Sequence, residues 1–218
     1  MIKYIQVNSS ELGKVDLRQA KLVKKHEPDI VVFEIPHTHK LTFNKFRPSN
    51  KPKKEYAKMI KKLRSNERKY PQSLADIAIW ENIHELWTRG KNVKVFNIDA
   101  PDEIRKHKFF KEEKYSFETT RRKWHFWVYL FIREMNMTKH LRTIIEKIKR
   151  DQKVTIAMFL ELEHWKHVQF LLTSPTKKQI WDYYFKRFPE LTPKNIDTKI
   201  KNLDKMYYKY WKKVSLWK

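Results

Sequence analysis

"DIVVFEIPHTHK", Asp29 to Lys40, decides how this chain is read. Ile30 to Phe33 is an unbroken apolar run rich in β-branched residues, the composition of a strand covered on both faces. It ends in one carboxylate, Glu34, followed by a proline and two histidines, His37 and His39. Just upstream, "VDLRQAKLVKKHEP" (Val15 to Pro28) spaces Leu17, Ala20 and Val23 for a helix. Asp16 and Gln19 read as its N-cap and capping-box partner, and Pro28 as its stop. Before that, "IKYIQV" (Ile2 to Val7) is another short apolar strand. Strand, helix and strand in succession predict a βαβ unit with parallel strands.

Downstream, residues 36–54 form a long polar loop broken by Pro36, Pro48 and Pro52. Two helices are predicted next, Glu55 to Arg68 and Ser73 to Arg89. The second carries an apolar stripe of Leu74, Ile77, Ala78, Ile83, Leu86 and Trp87, and Gly90 closes it. "NVKVFNID" is a third strand, ending at Asp99, and a short helix begins after it. Ser116 to about Arg150 reads as one long helix. Trp124, Trp127, Val128, Phe131, Ile132 and Met135 share a face, while Phe126, Tyr129, Leu130 and Met137 occupy the other side beside Arg133. A helix apolar on two sides is packed from both. Lys153 to His164 is a fourth, buried strand. Ser174–Pro175 and Thr192–Pro193 read as N-cap and N1 pairs that start two helices. The last helix spaces Ile196, Ile200, Leu203, Tyr207 and Trp211 at the helical period. The expected fold is a single α/β domain over residues 1–218: a mostly parallel sheet of about four or more strands flanked by helices. Its sections are 1–100, 101–173 and a helical 174–218.

Composition narrows the chemistry. With 2 glycines, Gly13 and Gly90, there is no glycine-rich phosphate loop. With no cysteine there is no thiolate metal site, iron–sulfur cluster or cysteine nucleophile. No apolar stretch approaches the roughly 20 residues that span a bilayer, and "MIKYIQVNSS" lacks the form of a signal peptide. A soluble, cytoplasmic protein is expected. The 49 basic residues exceed the 25 acidic ones for a net charge of +24, which attracts nucleic acid or another polyanion. "NKPKKEYAKMIKKLRSNERKY" and the C-terminal "KNIDTKIKNLDKMYYKYWKKVSLWK" interleave lysines with aromatics, and Lys205, Tyr208, Lys209, Lys212 and Lys213 are the candidate contacts.

In an open parallel sheet, ligands gather at the carboxyl ends of the strands. Three such ends carry acids here: Glu34, Asp99, and Glu161 with Glu163 ahead of His164. Arg133, on an apolar helix face, needs an anionic partner. Glu34, Asp99, Arg133 and His164 are therefore the expected catalytic cluster. Glu34 and His164, with His37 and His39, are the expected ligands for a divalent metal such as Zn or Mn. His164 and His167, three residues apart, also fit one turn of a helix.

Three segments carry a family resemblance: "KYIQVNSSELGKVDLRQAKLVKKHEPDIVVFEIP", "FIREMNMTKHLRTII" and "KVTIAMFLELEHWKHVQFLL". Over Ile2–Pro36 and Arg133–Leu172 the chain resembles TraB-type proteins, in the group that includes the TIKI and erythromycin esterase proteins and ChaN-like proteins. That group contains metal-dependent hydrolases and haem binders. The resemblance implies site positions at Glu34, Arg133 and His164. The chain has "VNSSEL" where the family places a glycine and a histidine, and Glu163 where it places a glycine. Three readings follow. One is a TraB-like, metal-assisted hydrolase with Glu34 as base or ligand, His164 as ligand or acid–base group and Arg133 as anion clamp. The second is a basic, non-enzymatic RNA- or DNA-binding protein. The third is a structural or interaction protein with no site.

Overall fold

The computed structural model describes residues 1–8, 17–36, 61, 64, 72–100, 120–203 and 205–214. Four strands, β1 (Ile2–Asn8), β2 (Ile30–Pro36), β3 (Lys94–Asp99) and β4 (Val154–Leu160), form an all-parallel sheet in the order β1-β4-β2-β3. Seven helices are described: α1 (Leu17–His26), α2 (Gln72–Thr88), α3 (Thr120–Glu146), α4 (Leu162–Leu172), α5 (Lys177–Tyr184), α6 (Ile196–Leu203) and α7 (Lys205–Val214). The fold is α/β, with a helical C-terminal region, as the apolar patterning requires. None of the described helices is long and apolar enough to cross a membrane.

By contact density the chain divides into two compact units. The first comprises Met1–Glu34, Lys40–Asn97 and Ile148–Trp165, and the second Ile35–His39, Ile98–Lys147 and Lys166–Lys218.

In the first unit, β4 lies between β1 and β2, with Ile2 to Asn8 in register with Val154 to Leu160, and Ile30 to Phe33 with Ile156 to Phe159. Ile30 to Phe33 are all buried, as a strand with both faces covered must be. Alternation places Phe33 and Phe159 on one face, where their rings stack at 4.9 Å and Trp80 of α2 stacks on Phe33 at 5.2 Å. Val32 and Glu34 turn to the other face. The Asn82 side chain of α2 donates to the Ala20 carbonyl and ties α2 to α1. Gly90, at φ 84, ends α2 in the left-handed conformation its sequence foretold, and its N–H reaches the Trp87 carbonyl.

The second unit is built round α3. Phe131 to Thr138 are buried without interruption, so that part of the helix is covered all round, in keeping with its two apolar sides. Its core joins Trp124, Val128, Phe131, Ile132 and Met135 to Tyr184, Phe185, Phe188, Ile196, Ile200 and Trp211.

Two boundaries differ from the sequence reading. The fourth strand stops at Leu160 rather than His164, because the Glu161 carbonyl already accepts from the Trp165 N–H and opens α4. Ser174 does not cap α5. It sits at φ 58, a left-handed residue closing α4, and Thr176 is the N-cap, in a reciprocal capping box with Gln179. The last helical region is described over Ile196–Leu203 (α6) and Lys205–Val214 (α7), with residue 204 outside the described residues. Thr192 does cap: it exchanges side-chain hydrogen bonds with Asn195 ahead of α6. The described part of the long helix runs from Thr120 to Glu146. Asp16, His37, His39, the short helix after Asp99, most of Glu55–Arg68 and the loop beyond Pro36 lie outside the described residues.

Candidate functional site

In the first unit the ends of β2 and β4 bring three ligand-bearing side chains together. Parallel pairing of Phe33 with Phe159 carries Glu34 to the level of Leu160, one residue before Glu161. The chain then turns into α4, whose first turn holds His164. The Glu161 N–H donates to Glu34 Oε2 at 3.1 Å, fixing one carboxylate oxygen at the start of the helix, where negative charge is favoured. The other, Oε1, lies 3.5 Å from His164 Nε2, and Glu161 Oε2 lies 4.0 Å from the same nitrogen. One donor atom from each of Glu34, Glu161 and His164 falls within 4.8 Å of the other two. The His164 side chain is 5 % exposed, Glu34 14 % and Glu161 65 %, so the cluster is walled on one side and open on the other.

The three side chains are of types that could hold a divalent cation. Metal bonds of about 2.0–2.1 Å in a tetrahedral site put neighbouring ligand atoms about 3.4 Å apart, close to the Glu34–His164 separation. One imidazole with two carboxylates suits Zn or Mn. Comparison with protein-family models, curated proteins and solved structures gives no match.

The other two residues of the expected cluster pair with each other in the second unit. Arg133 Nε donates to Asp99 Oδ1 at 3.0 Å and Nη2 to Oδ2 at 2.8 Å, a bidentate fork on a carboxylate with no solvent exposure. The Ala100 N–H completes it at 2.7 Å. The buried arginine thus has the anionic partner its apolar surroundings demanded. Asn136 holds the same strand end, donating to the Ile98 carbonyl and accepting from the Tyr210 hydroxyl.

A second network was not foreseen. Glu134, fully buried on α3, receives the Tyr184 hydroxyl on Oε2 at 2.6 Å, and its Oε1 lies 2.7 Å from His167 Nδ1. Burial first, and then the Glu134 charge and hydrogen bond, push the Tyr184 pKa far above its ordinary value. The signal was present in the sequence: a carboxylate inside "WVYLFIREMNM" has to be paired or stay neutral. Its partners, 33 and 50 residues further on, had no local mark.

At the C-terminus Lys205, Lys209 and Lys212 are exposed along α7, while Trp211 is buried and Tyr208 packs against the core. The Lys212 ammonium lies 5.5 Å over the Tyr208 ring. The Lys213 side chain is outside the described part.

Proposed function

We propose that Glu34, Glu161 and His164 form the metal centre of a hydrolase. The observation that carries this reading is the convergence of two strand-end carboxylates and an imidazole, with one side open to a substrate. Three protein ligands with a free position is the pattern of catalytic rather than structural zinc sites. The resemblance to TraB-type proteins points to two of the same residues, Glu34 and His164.

A bound divalent cation supplies Lewis acidity toward a carbonyl or phosphoryl oxygen. Glu34 is anchored on one oxygen by the Glu161 N–H, and its second oxygen faces His164. His164, nearly buried, would supply an imidazole nitrogen. Glu161, exposed, would close the ligand set at the mouth of the site.

Titrating Zn²⁺ or Mn²⁺ into the purified protein by calorimetry should give one saturable event. Glu34→Gln and His164→Ala should each weaken it at least tenfold, and Glu163→Gln should leave it unchanged. A wild-type protein that binds neither metal, or variants that bind as tightly, would overturn the assignment. Hydrolysis of an activated ester should then require the metal and fall with the same two variants.

A second reading is favoured by the row Lys205, Lys209 and Lys212, which occupies the outer face of α7 and with the net charge supports a nucleic-acid-binding surface. The inward packing of Tyr208 leaves that role to charge rather than to base stacking.

A further inference from the structure

The second unit holds two nitrogen groups whose surroundings leave them work to do. His167 is 8 % exposed and held from behind, with Nδ1 on Glu134 and Glu134 in turn on Tyr184. Trp127 at 6.0 Å, Tyr183 at 5.4 Å and Tyr184 at 5.4 Å surround its ring. Its other nitrogen, Nε2, has no hydrogen bond among the described residues. Arg187 is exposed, and its Cζ lies 3.5 Å above the Trp127 ring. A guanidinium stacked flat on a ring at this distance keeps its N–H groups available in its own plane. Among the described residues Arg187 forms no ion pair with a carboxylate.

We infer that Arg187 and His167 Nε2, both set against Trp127, form an oxyanion site that takes a phosphate monoester. The planar fork offers two parallel N–H donors, which match a phosphate group. The imidazole contributes through Nε2, donating when protonated or accepting from a singly protonated phosphate when neutral. The bond to Glu134 keeps the ring from turning away. Tyr183, 43 % exposed and stacked on Phe170 at 4.3 Å, offers a flat surface beside the site. The phosphate could therefore come from inorganic phosphate or from a nucleotide whose base rests on that ring. Nothing in this inference depends on the metal reading.

The test is calorimetric titration of the full chain with inorganic phosphate and, separately, with adenosine monophosphate at fixed ionic strength. Saturable one-to-one binding is expected. Arg187→Ala and His167→Asn should each weaken it at least tenfold, while Lys186→Ala, an exposed neighbour, should not. Asparagine keeps a donor for Glu134 and removes Nε2, so it separates binding from the structural bond. If His167→Asn melts early, the His167 Nε2 resonance of the wild-type protein replaces it: phosphate should shift that signal. Tighter binding of the nucleotide, removed by Tyr183→Ala, would assign the ligand as a nucleotide, and equal binding would assign phosphate alone. Undiminished binding by Arg187→Ala, equal loss in Lys186→Ala, or an unmoved His167 signal would overturn the site.

Discussion

Tyr184 is held protonated from two directions, by burial and by the Glu134 carboxylate that receives its hydroxyl. A phenol whose pKa is raised on folding binds its proton more tightly in the folded state. Its contribution to stability is therefore complete below about pH 10, the value for an unfolded phenol, and is lost as the pH climbs above it. The wild-type protein should lose about 1.4 kcal/mol per pH unit more than Tyr184→Phe above that point. At neutral pH the same substitution, which leaves Glu134 short of a donor, should cost about 1–3 kcal/mol. Urea midpoints for the two proteins from pH 7 to 11 check both, and parallel curves above pH 10 would contradict the pairing. Asp99 and Arg133 illustrate the same demand in readable form. Arg133, on an apolar face, needs an anionic partner, and Asp99 is that partner.

At the level of elements, the chain's stop and start signals work through backbone conformation more than residue identity. Ser174 and Thr176 are both small hydroxyl residues ahead of α5, and the left-handed φ of Ser174 and the capping box of Thr176 with Gln179 separate them. The consequence is measurable. Thr176→Ala should destabilise by about 1 kcal/mol through loss of the bond to the Gln179 N–H. Ser174→Ala lacks that effect; the strain at positive φ is already present with serine, so its cost comes from the lost contact with Arg142. Chemical denaturation of the two variants distinguishes a cap from a terminator. β4 ends early for a related reason: the Glu161 carbonyl is taken by the helix, so the strand pattern of "TIAMFL" cannot run on through "ELEH".

Across the whole molecule, 49 basic residues against 25 acidic ones set a field that no single element accounts for. If the α7 row is a contact for nucleic acid, duplex DNA affinity should fall steeply with salt, by about 0.9 in log–log slope for each phosphate neutralised. Replacing Lys205, Lys209 and Lys212 together by alanine should reduce that slope by roughly two to three. Fluorescence anisotropy between low and moderate salt measures it. An unchanged slope would assign the attraction to the diffuse charge of the chain.

Much of the fold could be read from local pattern. The sheet's four strands, the long central helix and the glycine stop after α2 are each written in a few neighbouring residues, because apolar period and turn chemistry act over one or two turns of chain. Glu34 and His164 could be nominated, since a carboxylate at the end of a buried strand and an imidazole beside acids are both visible in one dimension. What the sequence could not supply was pairing at a distance. It did not reveal that β4 separates β1 from β2, that Glu161 completes the group at Glu34, or that Glu134 finds His167 and Tyr184. Those depend on which strand ends and helix faces meet. That is decided by the packing of the whole chain, which buries charges only where a distant residue can satisfy them.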